Sequence, residues 1–418
     1  MMSKSSKLRA SLLVTLMALP LAGLAALTLS TDAIAQSAGG WRKEVADKLT
    51  AAQEAAKKGS FNDAIRLLKE AKAKAPLSPQ EEQGVNEYLI YAASSARDHK
   101  LVLATVDERL ATGRVTGADL GRKLRLKATT QYSLRDYRGA AATFNQLSAQ
   151  GGLTGDDLAL LGTCQIQLRD FRNAATTLER AIAARDKAGA SAKTGPLLEM
   201  LNSAYFETGA DAKRLQTLHR LMAVAPKQSV FKQLADVYDK DPTMDLVVKP
   251  VVMINIYRLG ASRGLLSSEH YAKYAETALD MSSPGEAVAM LEKGMANGAI
   301  KKDDRSNRLL ADAKSQVERL KATLPQQAKE ADAIATGEPS ARLATAYFTL
   351  KNYAKATEAA KSGVQKGKLR RPGDLHMLLG VALVESKKGA EAKNAFKAAA
   401  VADPKIRSVA DLWSSLTG

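Results

Sequence analysis

The chain has few of the residues that most enzyme chemistry needs. Cys164 is its one cysteine among 418 residues, so no internal disulfide can form and stability in an oxidising compartment has to come from packing. The four histidines, His99, His219, His270 and His376, are scattered, and none belongs to a His-Glu-x-x-His helix or sits near a Cys-x-x-Cys pair. That pattern predicts no metal site. A phosphate-cradling Gly-x-x-x-x-Gly-Lys-Ser/Thr loop, a Gly-x-Gly-x-x-Gly turn and a Gly-x-Ser-x-Gly elbow are all missing, which leaves no nucleotide, dinucleotide or hydrolase signature. Carboxylates such as Asp156 and Asp157 stand near helix starts, where they serve the helix dipole. The expectation is a non-enzymatic protein with no catalytic residue and no cofactor. Aromatics are only 5% of the chain and alanine is abundant, which suits helices packed closely through small residues. No stretch after the first thirty residues is long and apolar enough to cross a bilayer. No linker is rich enough in Gly and Ser to separate domains.

Acidic residues are outnumbered, 44 against 61 basic, for a net charge of +17. Residues 1–35 read as a secretory signal peptide. Lys4, Lys7 and Arg9 precede an apolar run over 10–29, and Ala33-Ile34-Ala35 supplies a small-x-small cleavage site before Gln36. An uncleaved anchor helix is the alternative, disfavoured because Pro20 and Gly23 interrupt the run. Gln36 stands where a lipoprotein needs cysteine, so the expectation is a periplasmic protein without a lipid anchor. Cleavage removes Lys4, Lys7, Arg9 and Asp32 and leaves a net charge of +15. In an exported protein that charge points away from nucleic acid. It points toward anionic polysaccharide, a membrane surface or acidic proteins, or it is an ordinary solvated helical surface.

What the chain does have is a repeat. Ala128, Ala140, Phe144 and Leu147 recur 34 residues later as Gly162, Ala174, Leu178 and Ala181. The turn Leu134-Arg135-Asp136-Tyr137-Arg138 recurs as Leu168-Arg169-Asp170-Phe171-Arg172. Further copies contain Ala52, Ala64, Leu68 and Pro76; Ala92 and Ala104; Leu201, Tyr205, Leu218 and Pro226; Tyr274, Ala275, Ala278 and Ala287; Ala344 and Ala356; and Gly380, Ala392, Phe396 and Pro404. With the small crossing residue placed at position 8, Ala or Gly there and Ala at position 20 let two helices approach closely. Arg214 replaces the small residue at 20 in one copy and predicts a looser crossing.

This pattern resembles the tetratricopeptide repeat, a 34-residue helix-turn-helix unit. The resemblance covers most of the chain after the signal and implies an all-α fold, a right-handed α-solenoid of helix-turn-helix repeats. The expected organisation is a signal peptide over 1–35 and a first array over 36–240. An irregular junction with a buried helix follows over 241–266, then a second array over 267–403 and a capping helix over 404–418. The apolar run after Pro250 predicts a buried helix over 250–263. Pro325 predicts the stop of a charged helix over 309–324, with a shorter helix after it. Ile406, Val409, Trp413 and Leu416 share one face of the last helix, as expected of a cap on an open-ended stack.

The resemblance also implies that positions 2, 5, 9, 12 and 13 of each unit face a concave groove. These are Arg122, Arg125, Thr129, Tyr132 and Ser133 in one unit, and Lys232, Asp236, Asp239 and Lys240 in another. Arginines beside a tyrosine suit a carboxylate-bearing peptide. The repeated Lys/Asn/Arg set of the family's carboxylate clamp is missing. The expected function is a scaffold or adaptor binding envelope proteins or their peptide segments. A component associated with export or assembly of an anionic exopolysaccharide is the alternative.

Overall fold

The computed structural model describes residues 40–74 and 76–417; the signal-like segment lies outside the described residues. Among the described residues there are twenty α-helices, two short 3-10 turns and no strand. They fall into two compact units, divided between Leu153 and Thr154. The first holds α1 (Lys43–Lys57), α2 (Phe61–Lys72), α3 (Pro79–Ser95), α4 (His99–Ala111), α5 (Gly117–Ser133) and α6 (Tyr137–Ala149). The second begins with α7 (Gly155–Gln167), α8 (Phe171–Lys187), α9 (Gly195–Thr208), α10 (Asp211–Val224), α11 (Gln228–Asp239), α12 (Val248–Ser262) and α13 (Ser268–Asp280). It continues with α14 (Pro284–Ala296), α15 (Asp304–Ala333), α16 (Glu338–Thr349), α17 (Tyr353–Lys366), α18 (Pro372–Glu385), α19 (Gly389–Ala402) and α20 (Arg407–Leu416).

Eight of the turns between paired helices share one backbone solution. Each holds one residue in the left-handed region: Gly59, Arg97, Arg135, Arg169, Gly209, Ser282, Lys351 and Lys387, with φ between 55° and 75°. In the α5–α6 turn the Arg135 N–H donates to the Tyr132 carbonyl at 2.9 Å, and the Asp136 N–H reaches back to Gln131 O at 2.8 Å. These bonds satisfy carbonyls that the end of a helix leaves bare. Asp136 then caps the next helix, its Oδ1 accepting from the Gly139 N–H at 2.9 Å. Thirty-four residues on, Asp170 N–H bonds Gln165 O at 2.8 Å and its carboxylate caps α8. One residue stops a helix and the following one starts its partner, so the two must lie antiparallel and close. Glycine adopts this conformation without steric cost, and it stands at Gly59 and Gly209. The other six positions carry a side chain, and the paired hydrogen bonds offset the steric cost.

The recurring small residues meet large ones from the partner helix. A Cβ built on Gly162 would come within 2.7 Å of Leu178, and one on Gly380 within 2.4 Å of Phe396. Ala128, Ala140, Phe144, Ala174, Leu178 and Ala181 are fully buried. Cys164 is buried with them.

Unit 2 departs from a plain stack in two ways. α15 runs through Pro325 as a single 30-residue helix, so the expected stop is not there. Proline leaves the carbonyl four residues back without a partner, but Lys321 is exposed and water can take that bond. The second departure is closure. α20 packs on α19, as a cap should, and also on α10 and α12. The Trp413 indole N–H donates to Asn255 O at 3.0 Å, and its ring stacks on Phe396 with centroids 5.5 Å apart. Ser408 Oγ lies 2.8 Å from the Tyr238 hydroxyl, and Lys405 pairs with Asp245 at 2.9 Å. The stack therefore returns on itself and is not open-ended. Closure also explains the apolar run in α12, where Val251 to Ile254 and Ile256 are all buried: this helix has packing partners all round.

Candidate partner-binding face

The sequence-predicted residues divide between the two units. Arg122, Arg125, Thr129, Tyr132 and Ser133 share α5. Lys232, Asp236 and Asp239 share α11, and Lys240 follows as its C-cap.

On α5, Arg122 is well exposed, its guanidinium 3.1 Å from Asp119 one turn earlier. A pair of this kind on one exposed helix contributes a few tenths of a kcal/mol and leaves the side chain mobile. Arg125 is half-buried. Thr129 and Ser133 fold their hydroxyls onto their own helix, Thr129 Oγ1 donating to Arg125 O at 3.0 Å and Ser133 Oγ to Thr129 O at 2.9 Å. Their polarity is spent locally. Tyr132 meets Tyr137 edge to face with ring centroids 5.9 Å apart, which fixes its ring beside the turn. Beneath this face, Lys123 is buried and pairs with Glu87 of α3 at 2.5 Å. Lys127 reaches Asp107 of α4 at 2.8 Å.

On α11 the charges are occupied. Lys232 bonds Glu269 of α13, which raises the lysine pKa and lowers that of the glutamate. It also stands 4.0 Å from Asp236. Asp239 is held between Lys249 at 3.1 Å and Lys273 at 3.3 Å. Burial opposes its ionisation, but the two lysines outweigh burial and lower its pKa. This is a ladder of ion pairs between neighbouring helices. The partners Glu269, Lys249 and Lys273 are not legible from one helix's sequence, because these pairs join residues of different helices. Arg214 is the other charged surprise. Its guanidinium stacks over Phe206 at 4.8 Å and borders Asn202, so the crossing accommodates a long side chain at its edge.

A second polar cluster lies deeper in unit 2. Arg258 of α12 binds Glu286 of α14 through two N–H donors at 3.0 and 2.7 Å, and Tyr274 donates its hydroxyl to the same carboxylate at 2.6 Å. The guanidinium also lies over the Phe348 ring at 4.6 Å. Burial alone would drive Glu286 toward its neutral acid; the facing Arg258 charge outweighs it and keeps the carboxylate ionised. The remaining guanidinium nitrogen, Nη1, donates to Asn255 Oδ1 at 3.3 Å, and the cluster joins α12, α13, α14 and α16. His219 and His270 are also engaged inward, His219 Nε2 lying 2.9 Å from the Tyr238 hydroxyl and His270 Nδ1 2.9 Å from Ser267 Oγ. Among the described residues no group of His, Cys, Asp and Glu side chains is gathered for a metal, and no helix is long and apolar enough to cross a membrane.

The geometry now includes a 34-residue register, antiparallel pairs, and small residues seated against large ones at crossings such as Gly162–Leu178 and Gly380–Phe396. These are tetratricopeptide-type helix pairs. No family model matches the chain and no curated protein does. Among solved structures it is similar to a tetratricopeptide repeat protein from Parabacteroides merdae, with 15% identity over 65% of this chain and 99% of that one and a TM-score of 0.35. It is similar to the C-terminal part of a TPR repeat-containing protein from Cytophaga hutchinsonii, with 14% identity over 69% and 97% and a TM-score of 0.32. It is also similar to the TPR2AB domain of yeast Sti1, solved in complex with pHSP90, with 12% identity over 72% and 100% and a TM-score of 0.24. The helix-turn-helix solenoid fold is carried by the chain's own register and turns.

Proposed function

We propose that the chain is a non-enzymatic periplasmic scaffold that holds envelope proteins, or peptide segments of them, against the α5 face of unit 1. The observation that carries this reading is the contrast between the two predicted faces. Arg122 on α5 keeps only a weak, same-helix ion pair, whereas the α11 charges are committed to neighbouring helices. A cation on a rigid helix suits an acidic segment, because little chain has to be ordered on binding. Export is supported by the signal-like start of the sequence.

The test is capture from an envelope extract. Arg122→Glu together with Arg125→Glu should abolish capture of acidic partners without changing the circular dichroism spectrum, while Lys240→Glu on α11's C-cap should leave it intact. Equal capture by all three proteins would remove α5 as the binding face. Fractionation with N-terminal sequencing of the exported form tests the location, for which a start at Gln36 is expected.

The net charge of +17 favours a second reading, contact with an anionic exopolysaccharide. Charge reversal on α5 separates the two. Polysaccharide binding through many weak charges spread over the surface should survive Arg122→Glu with Arg125→Glu and collapse between about 0.05 and 0.5 M salt, whereas capture of an acidic segment should be lost with those two residues alone.

A further inference from the structure

Where α20 closes unit 2 there is a concave pocket of about 210 Å³. Its walls come from the end of α12, the end of α18, the start of α19, and α20, so it exists only in the closed arrangement. Val384, Trp413 and Leu416 make an apolar lining, and Arg263 and Lys387 bring two cations to the edge. No Asp or Glu lines it. Among the described residues the Arg263 side chain gives one hydrogen bond, to the Leu416 carbonyl, and neither Arg263 nor Lys387 has a carboxylate within ion-pair distance. The Lys387 backbone is fixed by its turn, its own N–H bonded to Val384 O at 2.9 Å and that of Lys388 to Leu383 O at 2.8 Å. The Trp413 N–H is already spent on Asn255, so the indole offers the pocket only its apolar body.

We infer that this pocket binds a small apolar monocarboxylate, whose acid group meets Arg263 and Lys387 while its body lies against Trp413, Val384 and Leu416. Two basic residues lining one pocket without an Asp or Glu favour an anion, and guanidinium geometry favours a carboxylate. The volume is that of about seven liquid waters, which limits the body to the size of one side chain. Because α20 supplies one wall, the bound acid stabilises the closed form of unit 2 by linkage.

The probe is hexanoate, titrated into the full-length chain by calorimetry, with acetate and 1-hexanol as controls. Hexanoate should saturate one site per chain, with acetate and hexanol at least about tenfold weaker, since one lacks the apolar body and the other the charge. Arg263→Ala and Lys387→Ala should each weaken hexanoate about tenfold, and their combination should abolish both binding and the rise in Tm that hexanoate gives the parent. Trp413 fluorescence in a Trp41→Phe background, where it is the remaining indole, should shift over the same concentrations. No saturable heat, hexanol binding as well as hexanoate, or unaltered binding by the double variant would each overturn the assignment. So would binding that appears only after a flexible tail is added to the C-terminus, because the occupant would then be the chain's own end.

Discussion

The left-handed turn residues and the small crossing residues are the single positions on which most depends. Arg169 sits at φ 60°, where a β-carbon is strained and glycine is not. Arg169→Gly should therefore raise stability by up to about 1 kcal/mol, net of glycine's greater unfolded-state freedom, as read by urea unfolding. A loss of stability would mean that the arginine side chain contributes more than its backbone costs. Ala174 is fully buried at a crossing, and Ala174→Leu should cost about 1–3 kcal/mol. The crossing residues were legible in the sequence, because small-against-large pairs 16 positions apart repeat and repetition marks a shared constraint. The arginines at positive φ were not. Their side chains carry no mark of the conformation, which the surrounding hydrogen bonds impose.

At the scale of elements, α12 and α15 are where the repeat gives way. Arg258 and Glu286 form a buried pair, and Arg258→Leu should destabilise by about 3–5 kcal/mol by stranding the carboxylate. Adding Glu286→Leu should recover much of that loss, which a double-mutant cycle in denaturant would show. No recovery would mean that the arginine's packing on Phe348, and not the charge pair, carries the cost. Pro325 interrupts the hydrogen bonding of α15, so Pro325→Ala should stabilise by about 1–3 kcal/mol. The sequence placed α12 as a buried helix from its unbroken apolar run. It misjudged α15, because proline weakens a helix without forbidding it, and an exposed site lets water take the freed carbonyl.

At the scale of the whole molecule, closure should make unit 2 sensitive to acid. Burial brings the pKa of His219, the neighbour of Tyr238 in the α10–α11–α20 contact, down to about 4 from an unfolded value of 6.5. The folded form therefore resists a proton that the unfolded chain accepts. Stability is complete above pH 6.5 and is lost as pH falls from about 6.5 to about 4, by roughly 3 kcal/mol from this group. His270 and His376 are shifted downward as well, also by burial, so they add to the same slope. The Tm should fall between pH 7 and pH 4.5, and His219→Leu should flatten that fall. An unchanged profile in the variant would place the sensitivity elsewhere. The candidate face was legible only in part. Position in the repeat picked out Arg122 and Lys232 equally, yet the fold gave Lys232 to Glu269 and left Arg122 with a neighbour on its own helix.

The linear sequence determined the helices, their pairing and their close crossings. All of these depend on spacings of fewer than forty residues, and such spacings are set by helical period and turn chemistry. Tertiary structure alone decided that unit 2 would close. Trp413 and Asn255 are 158 positions apart, and a contact of that reach is the accumulated result of many small angles between helices, which no local pattern encodes. The same long-range meeting forms the pocket at the seam.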